Sequence, residues 1–431
     1  MSAPTTIYAL SSGALPAGVA VVRISGPHVP AIIPLLTGRP TLEPRRAVLS
    51  TIRDETDAPI DDALCIYFPA PASFTGEDVL EIQLHGSRAV AAALFRRLGQ
   101  LTGLEPAEAG AFTMRAFLNG RIDLTAAEAL SDLIVAETDA QRRLALSNAD
   151  GAQRRLYEGW RADLLSIWAR IEADLDFSDQ EDVPPEFGDA VRLEIKALAL
   201  RIRHHLDGYR IAEVINEGFH IVVAGAPNAG KSSLINYLAK RDVAIVTDIP
   251  GTTRDLIEVR LDIGGRLVRV TDTAGLRTTL DPVEQIGVER ARTASRTADL
   301  VLLLDDGLEQ VPEMDAELVL PVQSKSDQRS CSADVIAIST RTGAGIDRLM
   351  AELTTILDSR TKILDTVPSR QRHVAHLEGC IAALDRANCS SEFELVAEEL
   401  RIAADSLGRL TGAIDVEDLL GDIFSRFCIG K

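Results

Sequence analysis

The sequence predicts a multidomain chain of mixed α/β and α+β class, with an alternating strand–helix domain inserted into a helical domain and an α+β domain in front of both. Three observations predict it. The 431 residues exceed the roughly 100 to 200 of one ordinary domain. Short β-like runs and turn residues mix over residues 1–118, and two stretches of helical periodicity then flank a stretch where strands and helices alternate.

In the first stretch, residues 19–24 form a β-like run ahead of Ser25-Gly26-Pro27, and residues 78–84 form another ahead of His85-Gly86. We assign residues 1–118 to one domain. The character changes near Ile122. Thr125 followed by Glu128 reads as a capping box, and Ala127, Leu130, Leu133 and Ile134 recur at helical spacing. This first helical part, 119–213, is helical to about Tyr209, with its clearest break in the acidic, proline-bearing stretch 178–186. The inserted domain spans 214–357. A second helical part, 358–431, is helical from about Arg370, where Val396, Leu400, Ala403 and Leu407 mark one apolar face that core packing explains. Insertion is tolerated when the termini of the inserted domain lie close together.

Composition excludes several function classes. No apolar run approaches the roughly 18 residues of a membrane span, and the opening MSAPTTIYAL lacks a basic segment followed by an apolar one, so a soluble cytoplasmic protein without membrane contact is expected. Five cysteines (Cys65, Cys331, Cys380, Cys389, Cys428) form no C-x-x-C pair, which points to neither a disulfide framework nor a zinc site. A formal charge of −19 argues against non-specific coating of nucleic acid, which needs a cationic surface to release phosphate counterions. A nucleic-acid partner would meet a local basic patch or arrive through another subunit.

The most explicit signal lies in the inserted domain. The buried-strand run 219–224 feeds into Gly225-Ala226-Pro227-Asn228-Ala229-Gly230-Lys231-Ser232, which fits G-x-x-x-x-G-K-[ST] in full, and a helix over 233–240 follows. Small residues let backbone N–H groups surround a β-phosphate, Lys231 reaches the β- and γ-phosphates, and the Ser232 hydroxyl suits Mg2+. Asn228, Ala229, Gly230, Lys231, Ser232 and Ser233 are therefore expected to bind nucleotide. A hairpin is expected from 256–263 and 267–271 across Gly264-Gly265, at a sheet edge. It ends in Asp272-Thr273-Ala274-Gly275, the D-x-x-G signal that senses the γ-phosphate. Between phosphate loop and hairpin lies the switch segment, with Thr253 as the second Mg2+ ligand. After an apolar strand over 318–322, Ser324-Lys325-Ser326-Asp327 stands where GTPases carry N-K-x-D. Asp327 supplies the carboxylate that selects guanine, Lys325 a stem that lies on the base, and Ser324 shortens a tether that Asn would make. Ser339, Thr340 and Arg341, after a strand over 335–338, form the last base-contact loop. Together these residues predict a P-loop GTPase domain with GTP as substrate. Too few residues separate Asp306 from Lys325 for a full helix and strand, so a helix there is expected to shrink to a turn.

Beyond these signals, the chain closely resembles the MnmE (TrmE) family of tRNA modification GTPases. The resemblance rests on Val22-Arg23-Ile24-Ser25-Gly26, on Ser73-Phe74-Thr75-Gly76-Glu77-Asp78-Val79-Leu80-Glu81, on Arg115-Ala116-Phe117-Leu118-Asn119-Gly120-Arg121, and on the tail Phe427-Cys428-Ile429-Gly430-Lys431. It implies a folate-binding-like N-terminal domain that pairs into a homodimer. It also implies work on tRNA with the flavoprotein MnmG, in a heterotetramer or larger complex. That pair adds an aminomethyl or carboxymethylaminomethyl group to C5 of the wobble uridine, with 5-formyl- or 5,10-methylenetetrahydrofolate as one-carbon donor and FAD on the partner. Residue by residue it implies Arg23, Glu81, Arg121 and Lys431 around the folate, with Arg121 where Lys is common. It implies K+ on Asn228 with backbone oxygens of Thr247, Ile249 and Thr252, from the segment Thr247-Asp248-Ile249-Pro250-Gly251-Thr252. Leu276 stands where many GTPases carry a water-orienting glutamine, and Glu284 matches the family's catalytic glutamate. Cys428, beside Arg426 and Lys431, is a possible thiol of the modification chemistry. Two rivals are a ribosome-assembly GTPase, which shares the phosphate loop but lacks the N-terminal domain and tail, and a folate-dependent methyl carrier with a passenger GTPase.

Overall fold

The computed structural model describes residues 5–176, 187–226, 228–240, 245, 258–272, 296, 298–305, 316–328, 335–362, 366–414, 424, 427 and 430. Two compact units emerge: Met1–Ser131 with Arg154–Arg161 and Asp405–Lys431, and Asp132–Gln153 with Ala162–Ala404. The chain is a mixture of helices with two six-stranded sheets, the multidomain α/β and α+β class that the sequence predicts.

The first unit is built on the strands β1 (Thr6–Leu10), β2 (Val19–Ser25), β3 (Val48–Arg53), β4 (Pro59–Phe68), β5 (Val79–His85) and β6 (Leu104–Pro106), in the order β3-β4-β5-β2-β1-β6. All neighbours are antiparallel except β1 and β6. Period-two alternation sorts the side chains. Val22, Ile24, Leu80 and Ile82 join the core made with α1 (Val29–Thr37) and α2 (Arg88–Gly99), so Arg23 and Glu81, directly opposite each other in the β2–β5 register, lie on the other face. There Ile7, Ala9, Ala107 and Phe112 form a smaller cluster, to which α3 (Ala111–Leu118) contributes.

Helices α4 (Leu124–Val135), α5 (Asp139–Ala149), α6 (Ala152–Asp176), α7 (Phe187–Asp207) and α8 (Tyr209–Glu217) follow. Helix thus runs past Tyr209 to Glu217, and the expected break at 178–186 lies outside the described residues. The capping box expected at Thr125–Glu128 is corrected. Thr125 is already inside α4, and the preceding Asp123 caps it, its Oδ1 accepting from the Ala126 N–H (3.0 Å) and the Thr125 hydroxyl (2.5 Å). The Asp123 carboxylate, two residues earlier, does the work expected of the Thr125 hydroxyl. A full capping box stands instead at α5, between Thr138 and Gln141.

The second sheet carries β7 (Phe219–Gly225), β8 (Glu258–Ile263), β9 (Arg266–Asp272), β10 (Leu300–Asp305), β11 (Val319–Gln323) and β12 (Ile336–Ala337), in the order β12-β11-β10-β7-β9-β8. From Ile221 to Ala224 β7 is apolar because both faces are covered: Ile221 and Val223 meet one cluster, Val222 and Ala224 the other. The β8–β9 hairpin is antiparallel and at the edge, and Gly264 and Gly265, with φ +61° and +79°, supply the two left-handed positions of its turn. α9 (Lys231–Ala239) begins two residues earlier than the helix over 233–240, because Gly230 itself is the cap. After α10 (Ile346–Arg360), the expected helices are α11 (Gln371–Cys389) and α12 (Phe393–Thr411), and Val396, Leu400, Ala403 and Leu407 are buried.

α7 packs on α11, and Arg192 donates to the Asn388 and Ser390 carbonyls at the end of α11. His205, in the last turn of α7, is buried, and loss of solvation pushes its pKa down to about 4; the nearby His373 and His204 act in the same direction, against a hydrogen bond with the Thr366 backbone. The unfolded ring titrates near 6.5, so between pH 6.5 and 4 the unfolded state binds more protons. Stability is full above 6.5 and falls by roughly 3 kcal/mol as pH drops to 4. The urea midpoint of α7–α11 unfolding is expected to fall between pH 7.5 and 5.0 in the wild type and to move much less in His205→Gln; equal shifts would refute a role for His205.

Candidate functional site

Two groups of candidate residues assemble, one in each unit. In the second unit the chain turns out of β7 at Gly225, where φ is +144° and a Cβ would stand 2.0 Å from the Leu304 carbonyl oxygen of β10. Parallel pairing of Gly225 with Leu304 leaves no room for a side chain, so glycine is a packing requirement before it is a functional one. The loop continues through Asn228 at φ +63° and Gly230 at φ +95°. Gly230 has no side chain to cap α9, so the first-turn N–H groups of Lys231, Ser232 and Ser233 and the helix dipole face the loop. Ala229 donates its N–H to the Ala226 carbonyl (3.1 Å). Lys231 is buried, and its ammonium donates to the carbonyls of Gly225 (2.8 Å) and Ala226 (2.9 Å), curling back over the loop it stabilises.

The Ser232 hydroxyl donates to Oδ2 of Asp272 at 2.6 Å, and Asp272, at the end of β9, is buried. Phosphate loop and D-x-x-G aspartate are therefore in contact. An alcohol oxygen and a carboxylate are hard donors of the kind magnesium takes, so the pair fits that ion. The base-contact residues also converge. Ser324 is buried, its Oγ donating weakly to the Asp305 carbonyl (3.4 Å), and its Cβ lies 4.0 Å from where a Cβ on Gly230 would stand. Lys325 takes a left-handed φ of +55°. Ser326 donates its N–H to the Ile338 carbonyl (3.0 Å), joining the two base loops. The Ser339 hydroxyl donates to Oδ1 of Asp327 (2.8 Å), and Arg341 Nε stands 3.4 Å from Oδ2. Thr340 lies between them. Thr247, Asp248, Ile249, Pro250, Gly251, Thr252, Thr253, Thr273, Ala274, Gly275 and Glu284, and the shortened helix after Asp306, lie outside the described residues.

In the first unit, Arg23 donates Nε (3.0 Å) and Nη2 (2.9 Å) to Glu81 Oε1, and its guanidinium lies over the Phe74 and Phe112 rings at 5.6 and 5.8 Å. Both charged side chains are about four-fifths buried, at 19% and 20% exposure. A carboxylate whose Oε2 has no partner among the described residues, beside two aromatic faces, suits a flat heterocycle that donates N–H groups, which is the chemistry of a pterin. Arg121 lies elsewhere on the rim: its Cγ would be 3.1 Å from a Cβ on Gly76, whose φ is +79°. No hydrogen bond or ion pair joins Arg121 to Arg23 or Glu81 among the described residues.

Sequence reasoning missed what holds this face together. The Ser25 hydroxyl meets Thr75 Oγ1 (2.7 Å) and Glu77 Oε2 (2.8 Å), Arg115 donates to Glu77 (2.9 Å), and Asn119 Nδ2 donates to the Thr75 carbonyl (2.7 Å). The three N-terminal motifs are thus one polar network. Its signal is the buried hydroxyl that closes β2, Ser25, which must find partners once out of water. The tail belongs to the same unit. Phe424 and Phe427 pack with Phe117, Leu124 and Ala127, and the Gly430 carbonyl accepts from the Ser11 hydroxyl (2.7 Å). Gly430 has φ +95°, and a Cβ there would stand 2.0 Å from the Leu10 carbonyl, next to the Ala9–Arg23 rung. Cys428 and Lys431 lie outside the described residues. Cys65 and Cys380 are buried with thiols pushed up to about 12 by desolvation, as inert apolar side chains.

Comparison with known proteins agrees with both halves of this arrangement. Residues 6–121 match the family model described as GTP-binding protein TrmE N-terminus, and residues 124–428 match the MnmE helical domain. A tRNA modification GTPase MnmE of Brucella anthropi is 49% identical over 435 residues, covering 99% of this chain and 98% of that protein. One of Rhizobium johnstonii is 50% identical over 434 residues, covering 99% of each. One of Mesorhizobium japonicum is 48% identical over 439 residues, again covering 99% of each. By both family models and by these full-length relatives, the chain belongs to the MnmE (TrmE) family of tRNA modification GTPases.

Proposed function

We propose that this GTP hydrolase works in a potassium-dependent manner, activated when two GTPase domains of a homodimer meet. With the flavoprotein MnmG it adds a carboxymethylaminomethyl or aminomethyl group to C5 of the wobble uridine of certain tRNAs. The proposed domain order is 1–118 for folate binding and dimerisation, 119–213 and 358–431 for the helical domain, and 214–357 for the GTPase. One observation carries the reading: a phosphate loop in contact with its aspartate, and an Arg23–Glu81 pair bedded on aromatic rings, occur in one chain. A ribosome-assembly GTPase has use for the first and none for the second.

In the GTPase, Lys231 and the N-terminus of α9 hold the phosphates, Ser232 and Thr253 would hold magnesium, and Asp327 reads the base. Asn228 with Thr247, Ile249 and Thr252 would hold potassium, and Glu284 orients the attacking water. The two cations supply neutralisation of phosphate charge when bound. In the N-terminal domain, Glu81 accepts pterin N–H groups, while Arg23, Arg121 and Lys431 balance the glutamate tail of 5-formyl- or 5,10-methylenetetrahydrofolate; FAD belongs to MnmG. Cys428 is a candidate thiol of the modification chemistry, and the setting is the cytoplasm.

The test is complementation of a strain lacking this chain, scored by nucleoside analysis of its tRNA. Wild type is expected to restore the C5-modified wobble uridine. Glu81→Ala is expected to fail and, by calorimetry, to bind 5-formyltetrahydrofolate at least tenfold more weakly, since it removes a charged acceptor worth about 1.5–3 kcal/mol. Undiminished folate binding by Glu81→Ala would end the folate assignment, and unrestored modification by wild type would end the tRNA reading.

A further inference from the structure

Helix α5 opens with a full capping box, and its first turn still has a donor to place. Gln141 Oε1 accepts the N–H groups of Glu137 (2.8 Å) and Thr138 (3.1 Å), and the Thr138 hydroxyl accepts the Gln141 N–H. The Ala140 N–H donates instead to the Gly265 carbonyl (2.9 Å), in the turn of the β8–β9 hairpin. Gly265 has φ +79°, and a Cβ there would lie 3.4 Å from Asp139 Cβ, so the turn rests on the start of the helix. Arg260 of β8 donates Nη1 to Oε1 of Glu137 (2.9 Å), both side chains being largely buried at 32% and 26% exposure. Gln141 donates Nε2 to the Asn216 carbonyl (3.1 Å) near the end of α8, just before the chain enters β7. At the start of β9, Arg266 donates to Thr361 Oγ1 (2.6 Å) and pairs with Asp358 of α10.

The strands held in this way end in the nucleotide site. β7 runs into the phosphate loop, and β9 ends at Asp272, which accepts from Ser232. Arg260 is the junction. It stands opposite Arg269, three residues before Asp272, and its own carbonyl accepts the Ile245 N–H (2.9 Å), two residues ahead of Thr247. We propose that Glu137 is a positioning residue for GTP hydrolysis: through Arg260 it fixes the hairpin on α5, and so sets Asp272 and the start of the switch segment against the phosphate loop. The inference rests on the reading of Asp272 as the aspartate that senses the γ-phosphate. The carboxylate has a second task, because Arg260 approaches the N-terminal end of α5, where the helix dipole is positive and a cation is unwelcome. Without the charge of Glu137 the guanidinium is pushed off the helix, and the hairpin goes with it. Linkage makes the effect reciprocal: a nucleotide that draws Asp272 into place also tightens the Ala140–Gly265 bond at the other end of the hairpin.

The test uses the full-length chain with Glu137→Gln, Arg260→Gln and the double variant, and reads kcat, KM, GDP affinity and the melting temperature. In Glu137→Gln, kcat is expected to fall about fivefold, or about 1 kcal/mol of barrier, the upper end for a partly exposed ion pair. KM and GDP affinity are expected to stay within about twofold, since the phosphate and base loops keep their own contacts. The double variant should lose no more than Glu137→Gln alone, as a double-mutant cycle requires of two residues that act through one bond. Hydrogen exchange supplies a second readout. A non-hydrolysable GTP analogue is expected to slow exchange of the Ala140 amide in the wild type and to leave it unchanged in Glu137→Gln. Normal kcat in Glu137→Gln would overturn the inference, as would additive losses in the double variant. So would a loss of kcat matched by an equal loss of GDP affinity and a lower melting temperature, which is the mark of a merely structural pair. Asp272→Asn separates the two levels. If it hydrolyses GTP normally, the reading of that aspartate falls; if it is slow while Glu137→Gln is normal, only the role of Glu137 falls.

Discussion

Lys231→Ala is expected to lower single-turnover GTP hydrolysis about a thousandfold. The ammonium is buried against the Gly225 and Ala226 carbonyls at 2.8 and 2.9 Å, so it is held over the loop before any phosphate arrives and needs no reorganisation. Removing one preorganised donor from a site of developing negative charge costs roughly 2.7–4 kcal/mol, or 10²- to 10³-fold, and a charged donor belongs at the top of that range. Lys231→Arg is expected to rescue little, because a guanidinium is a planar fork rather than a compact charge and the space is lined by two carbonyls. A loss within tenfold would show that the helix N-terminus holds the phosphates without the ammonium.

Much of this architecture was legible because it follows from local chemistry. The apolar run 221–224 in β7, the Gly264-Gly265 turn and the four-three-four spacing of Val396, Leu400, Ala403 and Leu407 each have one simple structural solution, and the chain adopts it. Helix starts were less legible. Asp123 and Thr125 are both good capping residues two positions apart, and only the backbone decides which side chain faces the free N–H groups. At α9 the cap is Gly230, chosen by the strained loop rather than by a capping side chain. Long-range facts were not legible at all. That Gly430 lies against Leu10, or that Ser25, Thr75, Glu77 and Arg115 share one network, depends on contacts between segments far apart in sequence, to which no periodicity speaks. In the nucleotide site, motif spacing gave the cast and the fold gave the pairings: Ser232 with Asp272, Ser339 with Asp327.

Those pairings bear on the potassium proposal. Leu276 stands where many GTPases place a glutamine, so the attacking water and the charge between β- and γ-phosphates need other groups. Asn228 sits in the phosphate loop at φ +63°, a left-handed position that asparagine tolerates better than most residues, and it adds an amide side chain to that loop. An amide oxygen is a neutral ligand, suited to a large monovalent ion held by several carbonyl-type oxygens rather than to a second magnesium, which favours carboxylates and water. GTP hydrolysis is therefore expected to rise at least tenfold, about 1.4 kcal/mol of barrier, when sodium is replaced by potassium at equal ionic strength. In Asn228→Ala the ratio of the two rates should fall toward one, and Glu284→Ala should slow turnover in both salts. The ratio is the telling quantity, since a substitution that merely distorts the loop slows hydrolysis equally in sodium and potassium. Equal wild-type rates in the two salts would refute the potassium reading and point to an arginine supplied by a partner as the source of the missing charge.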